Sequence, residues 1–269
     1  MIAARRLAPV VVFVAAFTLY VATLAPTLTV AHSGADGGDL VSAIATLGVP
    51  HPPGYPTFLA LGSIFAQLPI GNIAFRLNLF SAVCMALAAA VTTWSIGKAA
   101  STSAGVVAGL VFATAPMVWG QATLTEVHAL NALFVAISLG LLAPIVFRGD
   151  AVSTARLALA CCLWGLGLGN QLTLLALLPL FIRTGRVSRF TPHAPLFARH
   201  SSFITRYSLL ILALLLGLSI YIIIPIRAAA QPPINWLGEV TLPMSSTSSP
   251  PTSIAAMLSL CRCPIYRRG

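Results

Sequence analysis

Residues 7 to 26 run for twenty positions without one charged side chain, and the same holds over 77–97, 99–125, 157–182 and 207–226. Uncharged apolar blocks of that length are what the hydrocarbon of a bilayer demands, because about 20 apolar residues are needed to cross it as a helix. Within hydrocarbon the backbone must close its hydrogen bonds inside each segment, so helices are expected. A membrane β-barrel would show strands of alternating polarity, and no such alternation is present. Composition agrees: hydrophobic residues make up 58% and charged residues 7%, against about 25% charged in a soluble domain. Mean hydropathy is +0.95. The fold class expected is an all-α polytopic membrane protein.

Hydrophobic helices are expected at 7–26, 76–97, 104–121, 127–147, 155–168, 171–182 and 207–226, about seven in all. The stretch 56–71 is apolar but short and bounded by Pro56 and Gly71. Charge decides how to read it. Cytoplasmic loops carry an excess of Lys and Arg. With 56–71 kept at the surface, Arg5, Arg6, Lys98, Arg148, Arg156, Arg183, Arg186, Arg189, Arg199 and Arg206 all fall on the side of the N-terminus, which is thereby cytoplasmic in a multi-pass cell-membrane protein. A full crossing at 56–71 would scatter them. The net charge of +10 is therefore mainly a topology signal, and nucleic acid is not an expected partner. The first apolar run is as long as a span and more spans follow, so it reads as an uncleaved helix. The five cysteines, with Cys261 and Cys263 in a C-x-C pair, have no zinc spacing.

Five acids remain. Asp36, Asp39, Glu126 and Glu239 map to the side opposite the basic loops, and Asp150 lies beside Arg148. A carboxylate near the end of an apolar helix is costly without a partner or a task. The competing reading makes Asp36 and Asp39 a solvated loop or the cap of a helix near Leu40. Other polar residues fall on the same side. His51-Pro52-Pro53-Gly54-Tyr55-Pro56 is stiffened by three prolines and should fix His51 and Tyr55 at the surface. Glu126 and His128 open a helix, Asn170-Gln171 interrupts an apolar stretch, and Arg227 is followed by a stiff segment ending at Trp236. For any one of these a structural role is the commoner one; their convergence on one face is the stronger observation.

These residues also carry a resemblance. Asp36-Gly37-Gly38-Asp39-Leu40-Val41, Leu47-Gly48-Val49 running into His51-Pro52-Pro53-Gly54-Tyr55-Pro56, Arg76-Leu77-Asn78, Thr125-Glu126-Val127, Gly165 through Asn170, and Arg227 with Pro232-Pro233-Ile234-Asn235-Trp236 follow in order over residues 8 to 240. Together they resemble the motifs of a membrane family formerly described as a domain of unknown function, whose animal members are protein O-mannosyltransferases of the GT-C class. The acid motif departs from that family's Asp-Ser-Gly-Glu in having Gly37 and Asp39, and Gln171 stands where a His is usual.

The resemblance implies a GT-C-like helix bundle over 1–240, with surface helices in the first extracytoplasmic loop. It implies an inverting enzyme that moves a sugar, mannose-like, from a polyprenyl-phosphate donor to a hydroxyl acceptor, of a protein, on the extracytoplasmic face, with the lipid bilayer as its setting. Asp36 is then the expected base, Asp39 or Glu126 orients it or the acceptor, and Arg227, with His51 second, holds the phosphate. Tyr55, His128, Asn170, Gln171 and Trp236 complete the expected substrate-binding set. No cofactor is certain, and a divalent cation stays open. Two other classes remain: a transporter or flippase for polyprenyl-linked lipids or sugars, and an inactive membrane scaffold. Residues 241–269, with the run Ser245 to Ser249 between prolines, depart from the family and read as an atypical tail, the product of truncation or a frameshift.

Overall fold

A computed structural model describes residues 2–148, 153–186 and 196–238. The tail at 241–269, Glu239 and Asp150 lie outside the described residues. Within them the chain is helical, and its extended pairing is a single parallel bridge between Val49 and Asn235.

The long helices are α1 (Ile2–Ala22), α4 (Ile73–Ala99) and α10 (Leu196–Leu218), the last continuing through a 3-10 turn at Ser219–Ile222 into α11 (Ile223–Ala229). Arg5–Ala22, Ile73–Ala99 and Ile204–Ala229 are each long and apolar enough to cross a membrane. Their outward faces show why hydrocarbon is the natural solvent: Val10, Val11, Val14, Ile211, Leu212, Leu215 and Leu216 are all exposed. A water-soluble molecule does not present such a continuous apolar surface.

The span expected at 104–121 is broken. It consists of α5 (Thr102–Thr114) and α6 (Pro116–Ala122), bent by 66° to one another. The cause is Pro116, which pushes Ala115 to an extended ψ of 130°. Counting the bent pair as one gives a fourth span. Helix α7 (Val127–Arg148) occupies the stretch expected at 127–147, and the rest of the seven expected helices are shorter: α8 (Thr154–Leu168), and a 3-10 segment at Leu172–Leu177 leading into α9 (Leu178–Arg186). The break at Ser219–Ile222 has a similar origin, since Pro225 cannot donate to the Tyr221 carbonyl and its ring crowds that oxygen.

Between α1 and α4 lie two short helices, α2 (Gly37–Ala45) and α3 (Pro56–Phe65). Ten residues rise only about 15 Å, half the thickness of the hydrocarbon core, so α3 is not a full crossing. Arg76 secures its far end, donating to the carbonyls of Ala66 (2.7 Å), Ile70 (2.6 Å) and Gly71 (3.0 Å).

Helix α4 is the centre of the bundle and packs against α1, α5 and α7, while α8 packs on α10. Its contact with α5 is close because Gly105 and Gly109 lie against Thr93 and Ala89; a Cβ on Gly105 would stand 2.8 Å from the Gly97 nitrogen. Small residues drive such contacts in lipid, where burial of apolar area gives no advantage over the lipid tails. Tyr20 is fully buried and satisfies its hydroxyl on the Ala113 carbonyl at 2.9 Å.

This packing gives the molecule two chemically different ends. At one, Arg5 and Arg6 of α1 meet Lys98 of α4 around a shared cavity. Asn78 marks the other end, bonding the carbonyls of Ala25 (2.8 Å) and Thr27 (3.2 Å) and accepting from Thr125 (2.6 Å). Asn78 and Lys98 are about 30 Å apart along α4. All three described carboxylates, Asp36, Asp39 and Glu126, gather at the Asn78 end.

Candidate functional site

The cluster is built on the α2 turn. Asp36 holds the N-cap position of α2 but its carboxylate makes no capping bond, and Asp39 lies in the first helical turn. The cap reading of these acids is therefore met in position and not in bonding. Asp39 instead reaches across to the proline-rich segment. Its Oδ2 accepts from the His51 backbone N–H (2.9 Å) and from His51 Nδ1 (2.7 Å), and its Oδ1 accepts from Trp236 Nε1 (3.1 Å). All of these bonds strengthen with the charge on the carboxylate.

Because Nδ1–H is committed to Asp39, a neutral His51 has Nε2 as an acceptor. The Tyr55 hydroxyl donates to it at 2.8 Å. Burial, followed by the carboxylates of Asp36, Glu126 and Asp39, raises the Tyr55 pKa, so the phenol keeps its proton. Tyr55 sits in the left-handed region at φ 44°, an unfavourable conformation for a bulky side chain. Gly54 before it, at φ 87°, makes the turn possible. The segment thus holds His51 and Tyr55 in fixed relation, as its prolines predict.

Asp36 is the exception among the acids. Its carboxylate is 40% exposed and stands 3.7 Å from His51 Nε2. Among the described residues it has no hydrogen-bond partner, although its backbone N–H donates to Glu126 Oε1 at 3.1 Å. Glu126 is 2% exposed, and its Oε2 is buried without a partner among the described residues. Burial is the main reason its pKa rises to about 6, opposed by the amides of Asp36 and Val127 and assisted by the Asp36 charge. Among the described residues no group of three or more His, Cys, Asp or Glu is arranged to hold a metal ion.

Trp236 arrives from far along the chain. Residues 234–236 lie beside Val49, whose N–H donates to the Ile234 carbonyl (2.9 Å) and whose carbonyl accepts from Trp236 N–H (3.2 Å). Gly48 permits this, because any Cβ there would collide with the Ile234 carbonyl. Arg227 supports the same junction: it donates to the Gly48 carbonyl (3.3 Å) and the Ser63 hydroxyl (3.1 Å). Among the described residues its hydrogen bonds go to those groups and not to the carboxylates.

The remaining expected residues are placed around this cluster. Asn170 is fully buried and donates to the Val127 carbonyl at 3.0 Å, tying the end of α8 to the residue after Glu126. Gln171 precedes the 3-10 segment, and its Oε1 is buried without a partner among the described residues. His128 is exposed and lines a separate cavity of about 540 Å³ with His32, Gln121, Asn131 and apolar residues including Met85 and Met117. So Asp36, Asp39, His51, Tyr55, Glu126 and Trp236 come together, Arg227 and Asn170 brace them, and His128 lines a different cavity. Asn78 and Thr125, buried in the frame of the site, were not among the expected residues. The available signal was an asparagine inside an otherwise apolar helix, which must find partners.

The family model for the protein O-mannosyl-transferase TMEM260 N-terminal domain matches residues 36–190, more than half of the chain. The chain is 34% identical over 168 residues to the protein O-mannosyl-transferase TMEM260 of Mus musculus, covering 60% of this chain and 23% of that protein. It is 28% identical over 179 residues to the protein O-mannosyl-transferase tmem260 of Dictyostelium discoideum, covering 61% and 21%. The aligned part is thus under a quarter of the length of these curated relatives. No solved structure matches the chain.

Proposed function

The chain belongs to the family of the protein O-mannosyl-transferase TMEM260 N-terminal domain, and from that premise we propose that it is the catalytic part of a membrane glycosyltransferase. In this reading a mannose-like sugar passes, with inversion, from a polyprenyl-phosphate donor to a hydroxyl acceptor on protein. The bundle is of the GT-C kind and the acid end faces the extracytoplasmic side. The relatives' names support the sugar and the protein acceptor; the basic-loop bias supports the sidedness.

The observation that carries the proposal is the state of the Asp36 carboxylate. It is exposed at the acid end and has no hydrogen bond among the described residues, whereas Asp39 accepts three and Glu126 is buried. A base must have a free lone pair within reach of the acceptor hydroxyl. As the acceptor oxygen attacks the anomeric carbon, the bond from that carbon to the phosphate oxygen breaks and the phosphate leaves with the electron pair. Asp36 takes the hydroxyl proton. His51 Nε2, 3.7 Å away, is the next acceptor. Asp39 stabilises the imidazolium through Nδ1–H, and Tyr55 turns its hydroxyl to accept from Nε2. Arg227 stays the proposed phosphate ligand, since Gly48 and Ser63 engage two of its five N–H groups.

The test is sugar transfer from a polyprenyl-phosphate sugar to a hydroxyl acceptor, measured on this chain and, with matching substitutions, on a full-length relative. Asp36→Asn preserves shape and removes the base, so turnover should fall by about 100-fold or more with donor binding kept. Asp39→Asn should cost less and should mainly disturb positioning. Normal turnover by both variants would end this mechanism; a dead Asp39→Asn beside an active Asp36→Asn would exchange their roles.

A further inference from the structure

Trp236 is fixed from several sides and still leaves its ring open. Its Nε1–H donates to Asp39 Oδ1 at 3.1 Å, its backbone N–H donates to the Val49 carbonyl at 3.2 Å, and the residue is 62% exposed. The turn that carries it is preset. Pro232 and Pro233 fix φ on the approach. The Asn235 carboxamide donates to the Gly238 carbonyl (2.9 Å) and accepts from the Leu237 N–H (3.2 Å), with Gly238 at a φ of 70°. His51 meets the indole edge-on, with ring centroids 6.4 Å apart and planes at 80°. The same imidazole has the Asp36 carboxylate 3.7 Å from its Nε2, so the indole and the proposed base are neighbours of one ring.

Two simpler roles leave part of this unaccounted for. A tryptophan that only anchors a protein at a membrane interface turns its N–H toward headgroups and water. This N–H points into the protein, onto Asp39. A residue that only donates to Asp39 needs no large apolar ring, and leaving such a ring in the open forgoes the gain from its burial. An open and immobile indole does suit one reactant of the proposed chemistry. A pyranose presents C–H bonds on its faces and hydroxyls around its edge, and the indole face is the negative side of the ring quadrupole. Those C–H bonds become more positive as oxocarbenium character develops at the anomeric carbon, which strengthens the attraction. Because the ring is already held, stacking costs little further side-chain entropy. Leu47 and Leu237, next to the bridged segments, are also exposed and give this rim an apolar margin for the lipid end of the donor.

We infer that the exposed indole of Trp236 is the platform on which the sugar ring of the donor stacks, beside His51 and Asp36. The inference rests on the sugar-transfer reading and adds to it the residue that recognises the sugar. Trp236 thereby makes the site select a prenyl phosphate that carries a sugar over one that does not.

The test is fluorine NMR of the chain labelled with fluorotryptophan in detergent micelles, with the Trp236 signal assigned by its loss in Trp236→Phe. Mannosyl phosphate on a short-chain prenol is the probe, and the same prenyl phosphate without sugar is the control. The Trp236 signal should move saturably with the mannosylated probe and stay in place with the control, while the signals of Trp94, Trp119 and Trp164 hold still. Trp236→Leu should weaken binding of the mannosylated probe by about tenfold, and Trp236→Phe, which keeps a ring but not the bond to Asp39, by no more than about threefold. If Trp236→Leu fails to fold, the titration of the parent decides. Equal movement with both probes would make Trp236 a lipid contact, equal weakening in the two variants would make it a support for Asp39, and no movement with either probe would leave no platform; each overturns the inference. Failure of the sugar-transfer reading looks different: turnover would be untouched by Asp36→Asn while the Trp236 signal still followed the sugar.

Discussion

Glu126 is the residue whose surroundings most oppose its charge. Its pKa, raised by burial to about 6 from 4.5, means that the folded state binds the proton more tightly than the unfolded chain does. Stability should therefore be greatest below about pH 4.5, decline as pH rises through the window to about 6, and stay level above it. The shift corresponds to about 2 kcal/mol. Glu126→Gln keeps an oxygen for the Asp36 N–H and removes the charge. Thermal unfolding in detergent at pH 5 and pH 7.5 should show this Glu126 step in the parent and not in the variant, which should be the more stable of the two at pH 7.5. An unchanged step in Glu126→Gln would assign the pH dependence to other groups. That Glu126 is buried was not legible in the sequence, where it reads as a carboxylate projecting from the opening of a helix. Its depth is set by Thr125 bonding Asn78 beneath it, a contact between positions 47 apart.

At the scale of elements, the turn between α2 and α3 acts together with the segment that follows α11. Gly48→Ala should push the Ile234 carbonyl away and release Trp236 from Asp39, because the contact is to backbone and cannot be relieved by a rotamer change. Hydrogen exchange at the Val49 and Trp236 amides should then quicken by about tenfold or more, and sugar transfer should fall, while helix content stays the same. Retained protection at both amides would show that the bridge does not depend on Gly48. The elements themselves were largely readable. Asn72 and Ser153 cap α4 and α8 where the apolar runs begin. The kink at Ala115–Pro116 was readable too, since a proline was in view; the continuous helix expected over 104–121 gave hydropathy more weight than backbone geometry. The parallel bridge at Val49 could not be read, because a single extended contact leaves no periodic pattern.

For the whole molecule, opposite charge at opposite ends is what the sequence pattern leads one to expect, and the meeting of Arg5, Arg6 and Lys98 agrees with it. A reporter fused after Arg189 should be cytoplasmic and one placed within residues 28–50 should be outside; the same side for both would refute the crossing scheme. The grouping of Asp36, His51 and Glu126 was legible as a shared face, while the separate placement of His128 was not, because one face of a sequence map contains more than one hollow. The late arrival of Trp236 also bears on synthesis. The ribosome makes Val49 and its neighbours about 190 residues before their partner strand, a delay of roughly 10 to 40 s at ordinary rates. Once Glu126 has been made, the nascent protein carries the three carboxylates of the cluster while Asp39 still lacks its indole partner. Translation itself therefore sets the moment at which this corner is closed, after the helices that surround it have been made.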